Sequence, residues 1–364
     1  MSTLIGSAWR YLFQRNSACC GDGGVIGDPL EYNGLRAVCL EHWPGDPQLL
    51  GCWDELSRGI PGATVFHCPG WQQGVWRHLP RRGRLRLITV CRGAKLLAVL
   101  PLRTNSSHAL EPPAPNITDY LDPLIAPEAQ SDCWRIILKL LSNLGNGSTP
   151  VLALHNVRDQ ASLCTVLPPI ASQEGFSFEK TFSENAPRIR LPGTFEQWLG
   201  TLDAHHRKEV RRKLNKALAK GNADLQICPV DQIAATLDRF IVLMQRRGGQ
   251  KAQDVRRVLG PILRLAAPAL IRQGRIRIST LLIHAHPAAS LLDMPTPDGP
   301  MLYNTGFDPR LGQWSPGVVA IVLSIRAAIA SGASVYDLLR GDEPYKYRLG
   351  AVNCPLWRIT LRRR

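Results

Sequence analysis

The sequence predicts an α/β (α+β) protein of two tandem units, each a mixed sheet flanked by helices. Three observations carry that expectation. The chain has 364 residues, and at roughly 100–200 residues per domain that length suggests two cores. Hydrophobic residues make up 45% and charged residues 20%, a globular balance that excludes a disordered or fibrous chain. Helix-spaced and strand-like apolar patterns are interspersed along both halves.

Residues 1–30 lack periodicity and include Gly21-Asp22-Gly23-Gly24, so they read as a flexible leader. An alternating, strand-like run begins at 35–40, a helix is expected at 48–56, and 66–76 reads as a turn entering a short helix. Residues 85–91 and 95–102, separated by Arg92-Gly93-Ala94, form a hairpin. The Pro- and Ser-rich stretch 105–116 is a loop. Trp134, Ile137, Leu138, Leu141 and Leu144 recur at helical spacing, and Gly145 ends that helix. A buried strand at 151–155 and a helix around 162–174 follow.

The domain boundary falls near 183–188, giving an N-terminal domain at 31–185 and a C-terminal domain at 186–364. Phe195 opens a helix, Asp203 caps a second one through Ala219, and Gly221 ends it. Ile233, Leu237, Phe240, Ile241 and Met244 mark a third. A fourth runs over 255–272, perturbed by Pro261 and Pro268. Strands then take over at 276–283, 288–294 and 301–306, before a strongly apolar helix at 318–330 and strands at 335–339 and 357–361.

Lys plus Arg number 44 against 29 Asp plus Glu, a formal charge of +15. Nucleic acid, an anionic membrane surface or a phosphorylated ligand can each account for such an excess. The strongly apolar run at 318–329 is broken by Ser324 and Arg326, short of the roughly 18–20 residues of a membrane span. Peripheral membrane contact stays open. The first sixteen residues lack the apolar core and small-residue cleavage site of a secretion signal. Ten cysteines are scattered without a Cys-x-x-Cys pair, as expected of reduced thiols in the cytoplasm.

Two segments carry chemistry. Tyr303 to Gly317 joins a strand to the apolar helix through a loop holding Arg310, Gly312, Ser315 and Gly317. A helix N-terminus there, reaching Val318, offers free N–H groups and partial positive charge to a phosphate, and Arg310 adds a charge-assisted bond. Neither a Walker loop nor a Gly-x-Gly-x-x-Gly fingerprint occurs, which argues against a nucleotide hydrolase and a dinucleotide dehydrogenase. The second segment, Tyr336 to Gly350, ends a strand in a loop carrying Asp337, Glu343, Tyr345 and Lys346. Carboxylates or tyrosines so placed can accept a proton. A solvated, ion-paired turn is the plain alternative.

Phe66-x-x-x-x-Trp71, Tyr120-Leu121-Asp122-Pro123-Leu124, Phe195-x-x-Trp198-Leu199, Tyr303-x-x-Gly306-Phe307-Asp308-Pro309, Ser315-Pro316-Gly317 and Tyr336-Asp337-Leu338-Leu339-Arg340-Gly341 occur in that order. The series resembles the GNAT-type acyltransferases of the CelD/BcsL group, associated with cellulose and exopolysaccharide biosynthesis. That group is distantly similar to the FemABX aminoacyl transferases. The resemblance implies two tandem GNAT-like units, with acyl-CoA bound by the second at residues 310–318; from the residues themselves no metal is expected. It implies acyl transfer to an amine or hydroxyl of a small-molecule or glycan acceptor, within polysaccharide or cell-envelope synthesis and with a synthase complex as a conceivable partner. Asp337 or Glu343 is then the expected base, Lys346 the electrostatic partner and Tyr345 a neighbour in the same loop. Tyr120, Asp122 and Trp71 are expected at the acceptor. An aminoacyl-tRNA-dependent transferase and a non-catalytic scaffold are the alternatives. The basic helix at 207–216 has no interleaved aromatic residues, which argues against nucleic acid. His284 and His286 read as a hairpin end, not a metal site.

Overall fold

The computed structural model describes residues 24–79, 83–144, 150–159, 162–246 and 248–364. Most of the expected leader, together with Cys19, Cys20 and Gly145, lies outside the described residues. The chain divides into two compact units, Met1–Ser183 with Leu356–Arg364, and Glu184–Pro355.

In the first unit, the described residues form a nine-stranded sheet. β1 (Leu30–Tyr32), β2 (Leu35–Leu40), β3 (Leu85–Arg92) and β4 (Lys95–Thr104) run as an antiparallel meander. β5 (Leu110–Glu111) and β6 (Leu124–Ile125) both pair with β4. β7 (Leu152–Arg158) lies parallel to β5, and β8 (Phe176–Asn185) closes the far edge. Helices α1 (Pro47–Gly59), α2 (Pro69–His78) and α3 (Gln130–Asn143) cover the sheet, with two short helical turns, α4 (Ser162–Thr165) and α5 (Leu167–Gln173), where one helix is expected. The hairpin β3–β4 follows directly from its two apolar runs and the Gly93 turn. Trp134, Ile137, Leu138 and Leu141 are fully buried in the core, as their spacing requires, and Leu144 packs partly buried against it.

The second unit holds a six-stranded sheet among the described residues, ordered β10-β11-β12-β13-β14-β9. β9 is Arg188–Arg190, β10 Asp224–Ile227, β11 Arg277–Ile283, β12 His286–Thr296, β13 Gly299–Phe307 and β14 Val335–Asp337. Helices α6 (Phe195–Thr201), α7 (Ala204–Asn215) and α11 (Pro316–Ala330) share one core with Leu281, Leu291, Leu302 and Tyr336. Helices α8 (Ile233–Gln245), α9 (Gly249–Asp254) and α10 (Gly260–Arg272) precede β11, and α8 packs on β11, β12 and β13. Ser290 sits opposite Gly306, one residue out of phase with Leu291, so α8 covers the face that α11 leaves. A Cβ on Gly306 would lie 2.6 Å from the Met244 backbone nitrogen, so glycine lets α8 sit directly on the strand. A last short helix, α12 (Pro344–Arg348), follows β14.

Four expectations are corrected. The last strand, β15 (Pro355–Arg363), pairs with β7 and lies beside β8, so it completes the first unit's sheet although its sequence sits in the expected second domain. The helix expected at 255–272 begins as a π turn at Val255–Leu259 and becomes α-helical only from Gly260, just before Pro261. The strand expected at 335–339 stops at Asp337 because Leu339 takes a left-handed conformation, φ 53°. Among the cysteines, Cys39, Cys52, Cys68, Cys133, Cys164, Cys228 and Cys354 are free thiols, whereas Cys91 is disulfide-bonded, contrary to the all-reduced expectation.

Candidate functional site

β13 and β14 run parallel, and their register joins Met301 with Asp337. β13 then continues to Phe307 while β14 ends. The strands part at that point. β13 also carries an extra residue here, because Leu292 faces Asn304 while the next residue, Asp293, faces Leu302. Tyr303 is the bulged residue, and such a bulge re-aims side chains beside it. A cavity of about 300 Å³ occupies the divergence, walled by Tyr303, Asn304, Thr305 and Phe307, by Gly317 and Val318, and by Glu343, Tyr345 and Lys346. The two segments singled out in the sequence therefore meet at one cavity.

The loop after β14 is held from inside by Lys346, whose side chain is 2% exposed. Its Nζ donates to the carbonyls of Leu339 at 3.0 Å, Arg340 at 2.6 Å and Gly341 at 3.1 Å, and lies 3.0 Å from Glu343 Oε2. An ammonium has three N–H donors, and these partners take them all. Gly341, at φ 110°, holds a backbone conformation that strains any other residue, and a Cβ there would push the Glu343 carboxylate aside. Glu343 remains half-exposed on the cavity wall. Asp337 does not join that wall. It is buried, accepts from the Leu339 N–H at 2.8 Å, and pairs with Arg188 at 2.9 Å. Below it, the buried Tyr336 hydroxyl donates to Ser324 Oγ at 2.9 Å.

At the N-terminus of α11, Ser315 adopts the left-handed conformation, φ 49°, and Pro316 starts the helix. Gly317 and Val318 face the cavity, and a Cβ on Gly317 would press on the Phe307 ring at 3.3 Å. Gly312 has open space around it. Arg310 is elsewhere. Its guanidinium binds the carboxylate of Asp308, at 2.7 Å through Nη2, and lines a second cavity on the α8 side. That cavity was not foreseen, although Arg239 on α8 and Arg246, which caps its C-terminus, lie seven apart and so share a helix face.

The expected acceptor residues lie in the first unit. Trp71 and Tyr120 are wholly buried, and Trp71 Nε1 donates to Thr118 Oγ1 at 3.2 Å. Asp122 accepts from Arg158 through its backbone N–H at 2.8 Å and through Nε at 2.6 Å. Tyr120 and Asp122 border a void of only about 30 Å³, room for a water molecule. Beside it, the imidazole of His67 is pushed down to about 4, chiefly by burial and then by the Arg158 charge. On α7, Arg211 pairs with Glu196 at 2.6 Å and Lys213 with Glu209 at 2.7 Å, which offsets part of that helix's charge. Among the described residues, no cluster of His, Cys, Asp or Glu is arranged to hold a metal, and no helix is long and apolar enough to cross a membrane.

Residues 204–347 match the acetyltransferase (GNAT) domain family model. No curated protein matches the sequence. Among solved structures, the chain is similar to FemX, with a TM-score of 0.60 at 10% identity over 92% of this chain and 97% of FemX. It is also similar to a conserved protein of unknown function from Bacteroides thetaiotaomicron VPI-5482, with a TM-score of 0.54 at 12% identity over 86% of this chain and 97% of that one. A tandem GNAT protein from the clavulanic acid biosynthesis pathway aligns at a TM-score of 0.48 and 14% identity, over 90% of this chain and 98% of its own. The first two likenesses show a shared fold.

Proposed function

We propose that the second unit, which carries the GNAT acetyltransferase domain, transfers an acyl group from an acyl-CoA thioester to an amine or hydroxyl acceptor. One observation carries this reading: the parting of β13 and β14 opens a cavity that reaches from the start of α11 to the Glu343–Lys346 loop. Strands that part turn backbone N–H and C=O groups toward whatever enters, which suits an extended ligand carrying amides. The α11 N-terminus favours a phosphate, and Gly317 and Gly312 let the backbone approach one.

The bound thioester would supply an activated acyl carbon. Glu343, a carboxylate on the cavity wall, is suited to take the proton of the acceptor N–H or O–H as that atom attacks. Tyr345 stands on the same wall as a proton source for the departing thiolate. Lys346 acts as a positioning residue, since its ammonium fixes the loop that carries both. Asp337 anchors the same loop from β14 through its bond to Leu339.

The ordered motifs that resemble the CelD/BcsL group support a sugar or polysaccharide precursor as acceptor and a synthase complex as partner. The test is thiol release from acetyl-CoA and longer acyl-CoAs with amino sugars and glycan precursors present. The parent releases thiol, and Glu343→Gln does so at least tenfold more slowly, about 1.4 kcal/mol of barrier. Absence of thiol release from every acyl-CoA, together with RNase-sensitive transfer from charged tRNA, would replace acyl-CoA by an aminoacyl-tRNA. Inactivity with both would leave the scaffold reading.

A further inference from the structure

Strand alternation separates the two cavities at the end of β13. Phe307 borders the donor cavity and packs with the α11 core, while the next residue, Asp308, lines a cavity of about 530 Å³ against α8. Three arginines, Arg239, Arg246 and Arg310, line that second cavity, with Asp308 as their carboxylate and His286 at its edge. Asp308 is 5% exposed and binds both Arg246 and Arg310. The two guanidiniums are thereby fixed, yet their side chains remain 40% and 75% exposed. Arg239 forms no ion pair or hydrogen bond among the described residues. One carboxylate cannot neutralise three guanidiniums. The cavity keeps an excess of positive charge presented as planar, partly immobilised forks, the geometry that binds phosphate oxygens in pairs.

We propose that this arginine cavity is a phosphate-binding subsite, separate from the donor cavity, that takes the phosphate or diphosphate group of a phosphorylated acceptor. The Arg310 hydrogen bonds, with the Arg246 charge, hold the Asp308 acid down at about 2 against the opposing effect of burial, so the carboxylate stays charged and keeps the forks in place. The phosphate chemistry stands on these residues alone, and only the acceptor as its carrier rests on the acyl-transfer reading.

Calorimetric titrations with inorganic pyrophosphate, a uridine-diphosphate sugar, CoA and dephospho-CoA test it, using the parent, Arg239→Gln, Arg246→Gln and Arg264→Gln. Arg264 pairs with Asp238 on the surface away from this cavity, so its variant controls for charge alone. Pyrophosphate binding should weaken about tenfold in the Arg239 and Arg246 variants and hold in the control. A parallel loss for the nucleotide sugar, with CoA unaffected, assigns the site to the acceptor. A loss for CoA but not dephospho-CoA would keep the phosphate subsite and transfer it to the donor, overturning the acceptor assignment. Equal binding of every phosphate compound by parent and variants overturns the subsite itself. Failure of CoA to bind at all would count against the donor reading and leave the pyrophosphate result to decide this one.

Discussion

Lys346 and Glu343 lie 3.0 Å apart at their charged ends, yet they differ in exposure, 2% against 51%. The lysine faces inward to three carbonyls and the glutamate faces the cavity. The pair therefore divides labour between holding the loop and meeting the acceptor.

Replacing the two partners should separate those tasks. Lys346→Met leaves three inward carbonyls without their donor and is expected to destabilise the second unit by about 3 kcal/mol. Glu343→Gln removes a half-exposed ion pair and should change stability by less than about 1 kcal/mol. Its acyl transfer should nonetheless fall at least tenfold. Urea unfolding beside thiol-release rates measures both; a stable Lys346→Met protein would contradict the positioning role.

Asp293, on β12, sits wholly buried opposite Arg277, and neither carboxylate oxygen has a hydrogen-bond partner. Burial lifts its acid from an ordinary 3.8 to about 6, with Arg277 pulling the other way. A carboxyl harder to ionise in the fold than in the unfolded chain costs nothing below the ordinary value and increasingly more as pH rises toward the folded one. Asp293→Asn removes that cost. Its stability relative to the parent should climb between about pH 4 and pH 6 and level off above. A difference that is flat across this range in urea titrations would contradict the buried-carboxyl assignment.

Gly306 has no space for a methyl group, with the Met244 nitrogen 2.6 Å from its would-be Cβ. Gly306→Ala should lift α8 off β13 and cost about 2 kcal/mol, a clash of the overpacking kind. It should also weaken pyrophosphate binding, because α8 carries Arg239 and is capped by Arg246. Wild-type stability in thermal unfolding would contradict the close approach.

The turn between β11 and β12 uses His284 and Ala285 at φ 50° and 63°, where glycine is the usual choice. Ala285→Gly should relieve about 1 kcal/mol of left-handed strain and raise Tm. An unchanged or lower Tm would show that the His284 ring packing on Trp314, 5.3 Å between centroids, already compensates.

What the sequence made legible was local. The strand, loop and helix from Met301 to Ala330 each carry their own signature: apolar alternation, Gly and Pro punctuation, and an apolar helical run. The meeting of Gly317 with Tyr345 then follows from a short crossover between parallel neighbours. What escaped was long-range. β15 pairs with β7 some two hundred residues earlier, and nothing within Trp357 to Leu361 names that partner. Lys346 reads as a free charge in the sequence because the carbonyls that bind it appear only when Leu339 and Gly341 turn at positive φ. Trp71 and Tyr120 read as acceptor residues by residue type, yet aromatic bulk serves a core equally well, and both are fully buried. Arg310 looks like a phosphate ligand for the α11 loop, but its neighbour Asp308 draws it to the α8 side.

The most direct measurement is calorimetric titration of the full chain with acetyl-CoA and longer acyl-CoAs, beside Val318→Trp, which fills the cavity where Val318 lines it. The parent should bind with one saturable site, and the folded variant should lose at least tenfold in affinity, about 1.4 kcal/mol. A folded parent that binds none of these thioesters, or a folded Val318→Trp protein that binds them as the parent does, would contradict the assignment of the β13–β14 cavity to the acyl donor.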